Sequence, residues 1–346
     1  MRLSIAGLPL LLALTAAAII GCGSNEGSRA VTLTGAGATF PNPIYSRWFE
    51  AFAAQTGTRI NYQAIGSGGG IRQYTEGTVD FGATDGPMSD EQIAAVGGKV
   101  RHFPTVLGAV VVTYNLPELG PADALRLDGP AIAAIYRGTV SRWNDPAIAR
   151  LNPRVALPDK PIIVVHRSDG SGTTYIFTDY LAKISPEWKT GPGTATSVAW
   201  PVGLGGKGND GVTQQVKSTD GAIGYVELIY ALSNSLPFAQ LRNAAGNWIT
   251  PSLRSVTAAA AAATFAPGTD FRVSITNAPG AAAYPISSFT WLLIRPSMAD
   301  SGKREQLRHF LQWMITPEAQ QMARELKYAP LPPEVIALET PRIDSL

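Results

Sequence analysis

The sequence predicts an α/β protein of two lobes joined by two crossing strands, on three observations. Strand, glycine-rich loop and helix follow one another three times in succession from residue 31 onward, the alternation that builds an α/β sheet. Two long apolar runs, 105–115 and 286–294, are each long enough to leave one sheet and enter another, as a pair of hinge crossings requires. The chain has 346 residues, 45% hydrophobic and only 16% charged, which suits two folded domains of ordinary size rather than a disordered or fibrous chain.

The elements follow in order. A strand at 31–34 runs into the turn Gly35-Ala36-Gly37-Ala38, and a helix at 43–56 carries Ile44, Trp48, Phe49 and Phe52 on one face. A strand at 59–63 enters the loop Gly66-Ser67-Gly68-Gly69-Gly70, and 71–76 begins another helix. The run 79–83 reads as a short buried strand, Asp85-Gly86-Pro87-Met88 as a turn, and Ser89-Asp90-Glu91-Gln92 as a helix start with capping character. After the first long strand, 125–136 and 143–151 read as helices. The β-branched run Ile162-Ile163-Val164-Val165 then leads through His166-Arg167-Ser168-Asp169-Gly170-Ser171-Gly172-Thr173-Thr174 into a helix at 176–183. A second glycine-rich loop spans 203–211, followed by a helix at 212–218 and a strand at 222–226. The alanine run makes 257–264 helical by propensity. The region 301–326 is the strongest amphipathic helix, interrupted at Pro317, and no internal repeat is present.

Composition excludes several classes. Net charge is +2 and the Lys and Arg residues are scattered, so the basic footprint of a nucleic-acid binder is missing. Three histidines and one cysteine argue against a His/Cys metal cluster and forbid an intramolecular disulfide. No Asp-rich loop suggests an oxygen-ligand metal site, so neither a metal nor a cofactor is expected. The cysteine is Cys22. Arg2, an apolar stretch from Leu8 to Ile20, and then a polar Gly/Ser segment surround it in the order of an export signal. Ile19-Ile20-Gly21-Cys22 resembles the lipobox of bacterial lipoproteins, which are cut before the cysteine and acylated on it. The expectation is a signal peptide at 1–21, lipidation (palmitate) at Cys22, a linker at 22–30 and a body tethered outside the cytoplasmic membrane.

The chemistry concentrates in loops between strands and helices. Arg167 to Thr173 offers a planar cationic fork, hydroxyls at Ser171 and Thr173, and the free N–H groups of a first helical turn, which together suit an oxyanion. An ordinary Gly/Ser turn with an N-cap serine fits the same residues. Thr34 to Pro41 and Gly66 to Gly70 bring backbone close to a ligand, or are simply a tight turn and a flexible connection. Asp85 is an acceptor when ionised, so it repels a fully deprotonated oxyanion and attracts one still carrying a proton; it also fits a plain turn. The 203–211 loop fails the P-loop pattern because Lys207 is followed by Gly208. Ser171 lacks the flanking glycines of a nucleophile elbow, since Asp169 and Thr173 stand there.

Taken together and in order, these loops closely resemble the phosphate-binding proteins of bacterial phosphate-specific ABC importers. The resemblance is carried by Leu33-Thr34-Gly35-Ala36-Gly37-Ala38-Thr39-Phe40-Pro41, Ile65-Gly66-Ser67, Val79-Asp80-Phe81-Gly82-Ala83-Thr84-Asp85 and Arg167 to Thr173. Gly203-Leu204-Gly205-Gly206-Lys207-Gly208-Asn209-Asp210-Gly211 and Gly221-Ala222-Ile223-Gly224-Tyr225-Val226-Glu227 complete it, over about residues 31 to 335. It implies a two-lobed periplasmic-binding-protein fold of type II. One lobe would comprise 31–108 and 287–346, closed by the C-terminal helices, and the other 109–286.

It further implies a set of phosphate ligands. These are the Thr39 hydroxyl, the Phe40 N–H, the Ser67 hydroxyl, Asp85 accepting from a protonated phosphate, the Arg167 fork, and donors from Ser171, Gly172 and Thr173. Asp169 would pair with Arg167 and orient it. Gly68, where serine is common, and His166 depart from the family pattern at positions that do not touch the ligand.

The function implied is capture of inorganic phosphate by closure of the lobes and delivery to an ABC permease, by a lipid-anchored monomer that makes and breaks no bond. A phosphatase or other hydrolase on the same fold, and a phosphate sensor or surface protein, are the alternatives. Sulfate facing Asp85 would set acceptor against acceptor, a penalty on the order of a thousandfold or more.

Overall fold

The three opening strand–loop–helix units lie side by side in one sheet. The structure is a computed structural model and describes residues 31–120, 124–266 and 268–346; the segments expected to be signal peptide and linker, with Cys22, lie outside the described residues. The first units are β1 (Thr32–Gly37), α1 (Asn42–Thr56), β2 (Arg59–Ala64), α2 (Ser67–Glu76), β3 (Phe81–Thr84) and α3 (Asp90–Ala95), followed by the long β4 (Arg101–Tyr114). The middle of the chain forms β5 (Arg126–Leu127), α4 (Gly129–Tyr136), α5 (Pro146–Ala149), β6 (Ile163–Arg167), α6 (Gly172–Ile184), α7 (Pro186–Thr190), β7 (Leu204–Gly206), α8 (Gly208–Ser218) and β8 (Ala222–Glu227). Then come α9 (Leu228–Ser233), β9 (Gln240–Arg242), β10 (Trp248–Ile249), α10 (Leu253–Ala260), β11 (Ser287–Ile294), α11 (Ser301–Met314), α12 (Pro317–Glu325) and α13 (Pro333–Asp344).

Eight strands form a mixed sheet in the order β2-β1-β3-β11-β4-β8-β6-β7, and β10, β9 and β5 form a small second sheet. β1 runs parallel to β2 and β3, and β8, β6 and β7 run parallel to one another. Between these two parallel groups stand the two long apolar strands. β4 pairs with β11 from Arg101 to Ala109 and then with β8 from Val110 to Tyr114. A strand buried on both faces reads as a continuous apolar run, which is why 105–115 was recognisable. The change of partner at Ala109/Val110 joins one group of strands to the other.

α1 buries Ile44, Tyr45, Trp48, Phe49 and Phe52, the face that helical spacing marked. Phe310 of α11 packs on Phe49 and Phe52 with ring centroids 5.3 and 5.4 Å away, and the Trp48 indole N–H donates to the Ala319 carbonyl of α12 at 2.8 Å. The C-terminal helices thus pack back onto the first strand–helix unit, and the break at Pro317 stands where the sequence placed it.

Several expectations need correction. The Gly35–Ala38 turn is mostly strand, since β1 continues to Gly37 and pairs with Ala64 and Ala83. The glycines there serve close approach rather than turning: a Cβ on Gly35 would sit 2.2 Å from the Phe81 ring. The Gly66–Gly70 loop is the start of α2, and a Cβ on Gly70 would lie 2.5 Å from Gly37 Cα, so helix and strand touch backbone to backbone.

The helix expected at 125–136 begins only at Gly129, because the Asp128 carboxylate accepts from Ala131 N–H at 3.0 Å, and β5 precedes it. The one expected at 143–151 shrinks to Pro146–Ala149 behind the Asp145 cap. The alanine helix starts earlier, at Leu253, where Ser252 and Ser255 form a capping box; the cap outweighs propensity. The 203–211 loop contains β7 and the first residues of α8.

Candidate functional site

Thr39, Phe40, Ser67, Asp85, Arg167, Ser171 and Thr173 are all buried, although their positions at loop and helix starts would ordinarily expose them. Each loop leaves the carboxyl end of a strand: β1 for Thr39 and Phe40, β2 for Ser67, β3 for Asp85 and β6 for Arg167 to Thr173. Ligand sites of α/β sheets lie at that edge.

The two groups of loops meet directly. Gly68 N–H donates to the Gly170 carbonyl at 2.9 Å, Asn209 Nδ2 donates to Thr39 Oγ1 at 2.9 Å, and the Tyr230 hydroxyl donates to the Thr39 carbonyl at 2.6 Å. A Cβ on Gly172 would fall 2.4 Å from Ser67 Oγ and 2.5 Å from Asp85 Oδ2. The start of α6 therefore faces the start of α2 and the end of β3 at a distance that only glycine allows.

Ser171 caps α6, its Oγ accepting from Thr174 N–H at 3.0 Å, while its own N–H donates to the Thr196 carbonyl at 2.7 Å. The N–H groups of Gly172 and Thr173 have no intrahelical acceptor, as at any helix start, and the helix dipole favours an anion before them.

Among the described residues Arg167 is the one buried Lys or Arg. Its Nε and Nη2 donate to the two Asp169 carboxylate oxygens at 2.8 and 2.6 Å, and its Nη1 reaches Thr173 Oγ1 at 3.4 Å. A guanidinium carries five N–H donors, so one N–H on each Nη is left over, on the edge away from Asp169. Burial opposes the Asp169 charge. The Arg167 fork, the Arg167 charge and a 3.0 Å bond from Gly208 N–H outweigh it and hold the carboxyl below its ordinary range. Asp169 is thus satisfied by Arg167 and α8, and it aims the guanidinium.

Asp85 is the opposite case. Burial pushes its carboxyl from 3.8 up to about 7, against the lowering effects of Thr290, the Arg167 charge and Ser67. Oδ1 accepts from the Thr290 hydroxyl at 2.8 Å. Oδ2 has only a long 3.5 Å contact with Ser67 Oγ, and it faces Gly172.

Several neighbours have no role assigned from the sequence, Tyr230 among them. Thr290, on β11, supports Asp85 from a strand remote in sequence, and nothing in the sequence links the two. The Tyr225 hydroxyl accepts from Arg167 N–H at 3.2 Å and bonds Thr174 Oγ1 at 2.6 Å. The Tyr328 hydroxyl donates to the Phe40 carbonyl at 2.7 Å. Asn209 reaches both Thr39 and Thr173, and its place in a glycine-rich segment was the available signal.

Comparison with known proteins places this architecture. The PBP superfamily domain model matches residues 23–318. The chain is 43% identical to the phosphate-binding protein PstS of Xylella fastidiosa over 356 residues, covering 97% of each. It is 45% identical to PstS of Pasteurella multocida over 309 residues, covering 89% of each. Among solved structures, a high-affinity periplasmic phosphate-binding protein bound with phosphate superposes with a TM-score of 0.72 at 21% identity, covering 90% of this chain and 93% of that one. A phosphate-binding protein from Stenotrophomonas maltophilia superposes with a TM-score of 0.71 at 18% identity, covering 90% and 94%. The two-lobed α/β fold is therefore shared with periplasmic phosphate-binding proteins, and the chain belongs to the PBP superfamily and, within it, to the PstS family of phosphate-binding proteins.

Proposed function

We propose that the chain binds inorganic phosphate between a lobe of 31–108 with 287–346 and a lobe of 109–286, and hands it to an ABC permease without chemical change. The observation that carries this reading is one of composition and geometry. The one buried arginine among the described residues, with two uncommitted N–H groups, the start of α6 and the weakly engaged Oδ2 of Asp85 converge on one place. Thr39, Phe40, Ser67, Ser171, Gly172 and Thr173 supply neutral donors, and Arg167 supplies the charge. Hydrogen bonds to charged groups contribute about 1.5–3 kcal/mol each, so several together offset desolvation of a dianion.

Asp85 supplies selectivity. Phosphate near neutral pH carries at least one proton and sulfate carries none, so only phosphate gives Oδ2 a proton to share. With the carboxyl raised to about 7, this discrimination is strongest above that pH, where Asp85 is ionised and can only accept. The role would be binding rather than catalysis, a reading that the binding-protein names of the relatives support. The chain would act as a monomer outside the cytoplasmic membrane, tethered through acylated Cys22. Titration calorimetry of the soluble domain tests the central claim: tight phosphate binding with little response to sulfate is expected, and equal affinity for both, or none for phosphate, overturns it.

A further inference from the structure

Asn209 makes a connected set of hydrogen bonds behind the proposed anion site, with both ends of its amide engaged. The residue is fully buried. Its Oδ1 accepts from Glu227 N–H at 3.0 Å, which fixes the orientation of the amide, because a flipped amide would set N–H against N–H. Its Nδ2 then donates to Thr39 Oγ1 at 2.9 Å and to Thr173 Oγ1 at 3.2 Å. Each of those hydroxyls receives a second donor, Thr39 from Asn209 N–H at 3.4 Å and Thr173 from Arg167 Nη1 at 3.4 Å.

A hydroxyl has two acceptor sites and one proton. With both acceptor sites engaged by the protein, Thr39 and Thr173 have only their O–H left, and it can only donate. We propose that Asn209 is a positioning residue for the anion: it turns two hydroxyls on opposite sides of the cleft into obligate donors before the ligand arrives. This inference rests on the phosphate reading and deepens it. A hydroxyl free to rotate can present a lone pair to any ligand, whereas one held in this way welcomes only an acceptor. Asn209 also links the two sides, because one amide group serves a threonine from each, so its effect is exerted where the lobes meet.

The test is phosphate calorimetry on wild type, Asn209→Ala, Asn209→Asp, Thr39→Val and the Asn209→Ala/Thr39→Val pair, with thermal unfolding followed in parallel. Asn209→Asp keeps the shape and the bond from Glu227 N–H but offers an acceptor to both threonines, drawing their protons away from the cleft. The expected losses of phosphate affinity are about tenfold for Asn209→Ala and at least about a hundredfold for Asn209→Asp. In the Thr39→Val background the Asn209→Ala change should cost only about threefold, because one of its two targets is gone. A residue that merely stabilises the fold would lower the unfolding temperature without this coupling to Thr39 in affinity. If Asn209→Ala does not fold, the isosteric Asp variant decides alone. Wild-type affinity in Asn209→Asp, or strictly additive losses in the pair, overturns this inference while leaving the phosphate reading intact. Failure of the wild type to bind phosphate overturns the reading itself and the inference with it.

Discussion

The two sides of the cleft hold their acids in opposite ways. On the side of Arg167 to Asn209, Asp169 is paired at 2.6 and 2.8 Å with a guanidinium of its own and receives a helix-start N–H, so it stays ionised and serves the arginine. On the side of Thr39 to Asp85, the acid has no cation in contact. Among the described residues Thr290 and Ser67 are its only side-chain hydrogen-bond partners, and burial raises it to about 7. One side carries fixed charge and helix-dipole donors that any tetrahedral oxyanion would welcome. The other carries the carboxyl that, in the proposed function, would discriminate by proton. That proposal separates capture from choice across the cleft, with the two sides meeting at Gly172.

This division can be broken at three levels. The largest effect is expected from Arg167→Ala, which removes the one buried cation among the described residues and leaves Asp169 without its ion-pair partner. Calorimetry should show phosphate affinity lower by about a thousandfold or more, with any residual sulfate binding reduced in parallel; retention of affinity within tenfold would mean the charge comes from elsewhere. Next is Asp85→Asn. The amide donates as well as accepts, so sulfate should bind measurably and the phosphate-to-sulfate preference should fall by about a hundredfold or more. A variant that rejects sulfate as strongly as the wild type would remove Asp85 from its assigned role.

The smallest effect is on stability without ligand. The Asp85 carboxyl is raised in the fold, so its protonated form is the one that folding favours. Its contribution is fully present below about pH 4 and is lost as pH rises toward about 7. From 3.8 to about 7 the loss amounts to at most about 4 kcal/mol at 1.36 kcal/mol per unit. Ligand-free Asp85→Asn should therefore gain on the wild type in denaturant unfolding at pH 8, and the gain should disappear near pH 4. A difference that does not vary with pH would show that the carboxyl is not raised.

Much of this arrangement was legible in the chain, and the exceptions share a cause. α1 was readable because Ile44, Trp48, Phe49 and Phe52 repeat at helical spacing, and β4 because an uninterrupted apolar run marks a strand buried on both faces. Gly35, Gly37 and Gly70 misled because glycine signals a turn in sequence, whereas here it admits the Phe81 ring and lets α2 lie against β1. The starts of α4, α5 and α10 were misplaced because apolar spacing or propensity was weighed above the caps Asp128, Asp145 and Ser252. Thr290 and Tyr328 could not be assigned at all, being strand and loop residues with no local motif.

The sequence by itself determined the order of strand, loop and helix, the two long apolar strands, and the donors and acids of the proposed site, because these follow from local patterning and residue chemistry. Only the tertiary structure decided which acid is satisfied and which is raised, and which donors surround the threonine hydroxyls of the proposed site. Those properties depend on burial and on partners such as Thr290, Asn209 and Tyr225, brought into place by strand pairing over distances that no local signal spans.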